Sequence, residues 1–156
     1  NQHNVIKQMI KHAQAANPKT PSAVLADMAR DEDNNIRWSV VRNPNTPSAI
    51  LADMARDKDV DVRWGVADNP NTPSAVLADM ARGGDHSISW AVARNPSTPS
   101  PTLGELAKNR EYWVRWGVAQ NPKTPYKALA ALRKEKELEF VVLATILKKI
   151  QTTNTN

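Results

Sequence analysis

Five copies of the pentapeptide Asn-Pro-x-Thr-Pro, at residues 17–21, 43–47, 69–73, 95–99 and 121–125, fall 26 residues apart with no insertion or deletion between them. Tryptophan keeps the same period at Trp38, Trp64, Trp90 and Trp116. A strict period of this length marks a repeat array, in which each repeat is one supersecondary unit too small to bury its apolar face alone. Such a chain buries apolar surface layer by layer rather than around one central core.

One repeat shows what the unit is. In Thr46-Pro47 the threonine is expected to accept from the first free backbone N–H groups of a helix, with proline at its first position. From Pro47, Ile50, Leu51, Met54 and Ala55 share one face at helical spacing, while Asp53 and Arg56 face water. This is helix A, expected to run about ten residues. Asp59 is expected to cap a second element, helix B, over Val60 to Asp68, with Val62 and Val66 on its inner side. Val, Trp and Gly are mediocre helix formers, so helix B is expected to be short and partly 3-10. Asn69 is expected to end it as a left-handed cap, with Pro70 enforcing the stop.

Columns at the same offset extend the template. They are Leu25, Leu51, Leu77, Leu103 and Leu129; Met28, Met54, Met80, Leu106 and Leu132; Ile36, Val62, Ile88, Val114 and Phe140; and the small residues Ser39, Gly65, Ala91 and Gly117, which let a neighbouring helix approach closely. Val5 to Ala16 reads as a lone helix B, with Ile10, Lys11 and His12 in the valine, arginine and tryptophan columns. The expected organisation is one repeat domain over 1–150. It comprises the half-repeat 1–16, repeats starting at 17, 43, 69, 95 and 121, and a flexible polar tail at 151–156. A chain that opens on Asn1 rather than methionine is expected to be trimmed or part of something longer.

Composition narrows function mainly by exclusion. With no cysteine, disulfides, thiolate zinc sites, iron–sulfur ligation and cysteine nucleophiles are all removed, and a cytoplasmic location is expected. No apolar run approaches a transmembrane span, so no membrane partner is expected. The net charge of +5 favours an acidic partner only weakly, because both signs are mixed along the chain. His3, His12 and His86 lack ligand spacing. Asp57-x-Asp59-x-Asp61 begins like a calcium loop, but Val62 stands where such a loop needs glycine. No metal, cofactor or catalytic set is expected.

The run Asn-Pro-x-Thr-Pro-x-x-x-Leu-x-x-x-Ala-x-Asp-x-Asp-x-x-Val-Arg-x-x-Val-Ala-x-Asn-Pro closely resembles the leucine-rich repeat variant family over nearly the whole chain. The resemblance implies an all-α fold, a right-handed superhelical solenoid of alternating α and 3-10 helices, similar to HEAT repeats, whose second helices line the inner surface. It also implies a binding scaffold with no established activity.

The candidate ligand-binding residues lie on helix B: Trp38, Trp64, Trp90, Trp116, Arg37, Arg63 and Arg115. The indoles are either flat surfaces for bases, sugars or apolar side chains, or elements of inter-repeat packing. Repetition of one residue at one offset favours packing. The arginines either bind phosphate or carboxylate, or form a ladder with Asp31 and Asp57 at the start of their own units, which is favoured. The column Arg30, Arg56, Arg82, Lys108 and Lys134 is accounted for by helix C-termini and by i,i+3 pairing with Asp27, Asp53, Asp79 and Glu105. The leading expectation is a non-catalytic scaffold for a protein or peptide. The alternative is nucleic-acid binding through the Trp/Arg face of helix B. The oligomeric state is left open.

Overall fold

The computed structural model of the chain describes residues 1–154, and these are all-helical, with no strand among them. The sequence reads as one continuous repeat domain; the fold gathers it into two compact units, Asn1–Pro73 and the residues from Ser74 onward. The first holds α1 (Gln2–Ala16), α2 (Ser22–Met28), α3 (Asn34–Arg42), α4 (Ser48–Met54) and α5 (Val60–Asp68). The second holds α6 (Ser74–Ala81), α7 (His86–Arg94), α8 (Ser100–Leu106), α9 (Tyr112–Gln120), α10 (Tyr126–Leu132), a 3-10 turn at Lys136–Leu138 and α11 (Glu139–Asn154). Among the described residues no helix is long and apolar enough to cross a membrane.

Each repeat is a short helix A followed by a helix B, and within each unit successive B helices stack. In the first unit α1 packs on α3 and α3 on α5; in the second α7 packs on α9 and α9 on α11. Every A helix also lies against the B helix that follows it. This is the layering of an α-solenoid. The expected columns form its core: Leu25, Leu51, Leu77, Leu103 and Leu129 are fully buried, as are Val40, Val62, Val66, Val92, Val114 and Val118.

Helix A is shorter than expected, and helix B keeps its expected span but has no 3-10 part. Helix B is α-helical over nine residues, as in α5, while helix A of the same repeat, α4, has only seven. Helix B keeps its α form because Asp33, Asp59 and Asp85 cap it, each accepting from the backbone N–H two residues on. Helix A shortens because its last turn tightens: Arg56 N–H donates to Asp53 O and Asp57 N–H to Met54 O, both three residues back. Among the described residues, a separate 3-10 element occurs only at Lys136–Leu138.

The pentapeptide itself works differently from the expectation. Asn43, Asn69 and Asn121 are extended, with φ between −74° and −84°, because the following proline excludes the left-handed cap. Their carboxamides instead reach into the preceding repeat. Asn43 Nδ2 donates to Ala15 O at 2.8 Å, Asn69 Nδ2 to Val41 O at 2.8 Å and Asn121 Nδ2 to Ala93 O at 2.9 Å. Each Oδ1 accepts from the N–H two residues on, fixing the loop as an Asx turn. The threonine also reverses its expected role. Thr46 Oγ1 donates to Val40 O at 2.6 Å, and Thr20, Thr72, Thr98 and Thr124 repeat the bond, closing an orphan carbonyl in the last turn of the preceding helix B. The second proline sits at the N-cap of helix A, at φ −61° and ψ 147° in Pro47, not at its first helical position. One loop residue thus joins repeats, and another ends a helix.

At its two glycines the small-residue column is a close approach between stacked B helices. A methyl added at Gly65 would collide with the Val41 Cγ2 methyl of α3. One added at Gly117 would come to 3.2 Å from Ala93 Cβ.

Both ends depart from the template. Ile10, placed in the valine column, is exposed with Val5, Ile6 and Met9 on α1. Phe140, expected in the same column, is 85% exposed, and Leu138 and Val142 take the core instead. The 3-10 turn moves the buried positions back by two residues, so Thr145 Oγ1 replaces the asparagine carboxamide and donates to Ala119 O at 2.5 Å. Lys149 Nζ then caps Pro122 O and Thr124 O at 2.6 and 2.9 Å, and burial lowers its pKa. The polar end expected as a loose tail is helical through Asn154; residues 155–156 lie outside the described residues.

Candidate functional site

The arginine column is the best-defined polar constellation. Arg37 is 5% exposed; its Nε and Nη2 hold the Asp57 carboxylate at 2.9 and 3.2 Å, and its Nη1 donates to Asp31 O at 2.8 Å. Arg115 has the same geometry. Nε and Nη2 donate to Glu135 at 2.9 and 2.8 Å, and Nη1 donates to Asn109 O at 2.7 Å. Lys11 opens the series with Asp31 at 3.1 Å.

The expected ladder exists, but in another register. Each cation meets the acid of the following repeat, twenty residues on, and the two arginines use only the backbone of their own. That register accounts for Ser89, because its counterpart is the neutral Asn109. Burial raises the pKa of Asp57, but the hydrogen bonds from Arg37 and from the Asp59 N–H outweigh it, leaving it below the ordinary value. The hydrogen bond that Arg37 donates to Asp57 likewise outweighs burial and raises Arg37 above its ordinary value. The Asp57-x-Asp59-x-Asp61 run is a relay of Asx turns. Asp57 Oδ1 accepts from Asp59 N–H at 2.9 Å, and Asp59 Oδ1 accepts from Asp61 N–H at 2.8 Å. Among the described residues no group of three His, Asp or Glu is placed to hold a metal ion.

Arg63 departs from the series. Its Nη1 keeps the backbone bond of the series, to Asp57 O at 2.6 Å. The residue twenty positions on is Gly83, which has no side chain to answer it.

The tryptophans are neither core nor free platforms. Trp38 is 37% exposed, and Trp64, Trp90 and Trp116 are half-buried. The Arg42 guanidinium lies 4.6 Å from the Trp38 ring centroid and that of Arg94 lies 4.5 Å from Trp90, each one helical turn on. Trp90 also packs beside Gly117, where an added methyl would lie 3.6 Å from its Cδ1. In the outer basic column, Arg82 alone makes the expected i,i+3 pair among the described residues, with Asp79 at 3.0 Å.

Sequence reasoning passed over a cluster in the second unit. His86 and Trp113 meet edge to face at 6.4 Å; the Arg110 guanidinium lies 3.2 Å from His86 Nε2, and Tyr112 and Trp113 are exposed. The signal was present as a departure from the template, since Tyr112-Trp113 stands where the other B helices begin Asn34-Asn35, Val60-Asp61 and His86-Ser87. A shallow groove of about 340 Å³ opens in the first unit over Gly65, between Arg42, Pro44, Asp68 and Pro70.

No protein-family model matches the chain, and no curated protein is found that matches it.

Proposed function

We propose that this chain is a non-catalytic repeat scaffold, of the leucine-rich repeat variant kind, whose helix-B face binds a protein or peptide. The observation that carries this reading is the commitment of the arginines. Arg37 and Arg115 hold internal carboxylates through both donors of their outer edge, which leaves them no fork for phosphate. Arg42 and Arg94 cover one ring face of Trp38 and Trp90, so a base stacking there has to displace a guanidinium. A half-exposed row of indoles with Arg37 and Arg115 neutralised among them suits an apolar or mixed side-chain surface better than a polyanion.

The test is titration of a fluorescent single-stranded oligonucleotide at low and moderate salt, beside selection of binders from a random-peptide display library. The scaffold reading expects selected peptides whose binding weakens on Trp38→Ala, and no oligonucleotide binding that falls steeply with salt. Oligonucleotide binding that loses orders of magnitude with added salt, with tryptophan quenching, replaces it with the nucleic-acid reading.

A further inference from the structure

We propose that the groove over Gly65 is a subsite for a peptide segment of mixed charge, in which Arg42 takes a carboxylate and Asp68 a lysine or arginine. The inference rests on the scaffold reading for its partner, and its chemistry comes from what lines the groove. Arg42 ends α3 and Asp68 ends α5, so one column of successive repeats presents opposite charges across about 340 Å³ of open space. The two do not pair with each other, and among the described residues neither charged group has a hydrogen-bond or ion-pair partner. Arg42 is nonetheless held in place, its guanidinium 4.6 Å from the Trp38 ring centroid.

The charge of Asp68 is out of place on local grounds. The last turn of a helix favours a cation, and α3 and α7 supply one in Arg42 and Arg94. At the same position α5 sets an aspartate against the negative end of its own dipole. A cation docked there meets the carboxylate and that helix end together. A carboxylate docked on Arg42 meets a guanidinium already restrained by stacking, so it binds at lower entropic cost than on a mobile surface arginine. A partner bringing both charges satisfies both groups, whereas a polyanion gains Arg42 and is repelled by Asp68.

The second unit holds the same groove in reduced form. Arg94, Gly117 and Pro122 line about 120 Å³, with the Arg94 guanidinium 4.5 Å from the Trp90 ring centroid. Gln120 stands where the first groove has Asp68. This groove keeps the carboxylate half and lacks the cation half.

The experiment follows the arginine Nε–H signals of ¹⁵N-labelled chain by NMR, with Arg42 and Arg94 assigned through Arg42→Lys and Arg94→Lys. Sodium acetate, acetyl-Glu-Lys-amide and acetyl-Gln-Gln-amide are added at constant ionic strength. Acetate should give a saturable shift at Arg42 and Arg94, with none at exposed Arg30 and Arg56. Acetyl-Glu-Lys-amide should bind about two- to fivefold tighter than acetate at Arg42 but not at Arg94. Asp68→Asn should abolish that gain, and Gln120→Asp should create it at Arg94. An equal response at Arg30 and Arg56, a gain that survives Asp68→Asn, or equal binding of acetyl-Gln-Gln-amide overturns the inference. Peptides from the display selection provide the second arm. Those that bind wild type, Arg42→Gln and Asp68→Asn equally, each variant keeping a native circular dichroism spectrum, overturn the inference and leave the scaffold standing. A dipeptide gain at Arg42 with no peptide selected supports the subsite and removes the scaffold.

Discussion

Gly65 and Val41 face each other across two stacked B helices, and the pair makes a quantitative prediction. Gly65→Ala introduces a methyl where the Val41 Cγ2 methyl already stands. Forcing an extra group into a packed layer costs about 1–3 kcal/mol, and the better helix propensity of alanine returns about 0.5–1 kcal/mol. The single substitution should therefore destabilise by about 1–2 kcal/mol. Val41→Ala removes two carbons from a fully buried side chain, about 1.6 kcal/mol of transfer energy, or about 2 kcal/mol with the cavity left above Gly65. In Val41→Ala/Gly65→Ala the new methyl enters the space the valine has vacated. One methyl is lost overall, about 0.8 kcal/mol, against a similar gain in helix propensity. The double variant should thus lie within about 0.5 kcal/mol of wild type, although the two single losses sum to about 3–4 kcal/mol. Urea unfolding followed by far-ultraviolet circular dichroism measures all four corners. Additivity within about 0.5 kcal/mol would refute the claim that these residues share one volume.

Gly117→Ala supplies a contrast: its methyl meets Ala93 Cβ at 3.2 Å rather than colliding, so strain and propensity should cancel to within about 0.5 kcal/mol in the same assay. Asn121→Leu should cost about 2–3 kcal/mol or more, because the Ala93 and Asn95 carbonyls it serves become unpaired; a cost below about 0.5 kcal/mol contradicts the inter-repeat role. The Asp57 pKa lies below its unfolded value of 3.8, so its contribution is complete above that pH and fades as pH falls through the lower folded value. Thermal melts should show wild type losing stability below pH 4 more steeply than Asp57→Asn; identical acid slopes contradict the bond to Arg37.

The period carried the repeat count, the leucine and valine core and the span of α5 from Val60 to Asp68, because these follow from apolar spacing and from a capping aspartate. What escaped were bonds that reach back out of the loop, to the preceding helix or to the preceding repeat. Asn43 and Thr46 look like caps of adjoining helix ends in sequence, whereas Asn43 serves Ala15 O of the preceding repeat and Thr46 turns back six residues to Val40 O. The arginine ladder failed for a related reason: Asp31 and Arg37 are neighbours in the chain, but the carboxylate partner of Arg37 belongs to the next layer. Phe140 was misplaced because a fixed period has no means of registering the two-residue slip made by Lys136–Leu138. Arg63 was legible as a member of its column but not as the exception, since its distinction depends on knowing which residue should answer it.

The asparagine bond reaches back one repeat and no further, as Asn69 to Val41 shows. A module cut at one Asn-Pro and rejoined at another therefore brings its own donor and meets an equivalent acceptor. Gene-level duplication of 26 codons is consequently a low-cost event for this kind of chain, whereas inserting a single codon into a B helix turns every later side chain on that helix by about a hundred degrees. Inheritance can thus change the length of the face in whole units while leaving its local chemistry untouched.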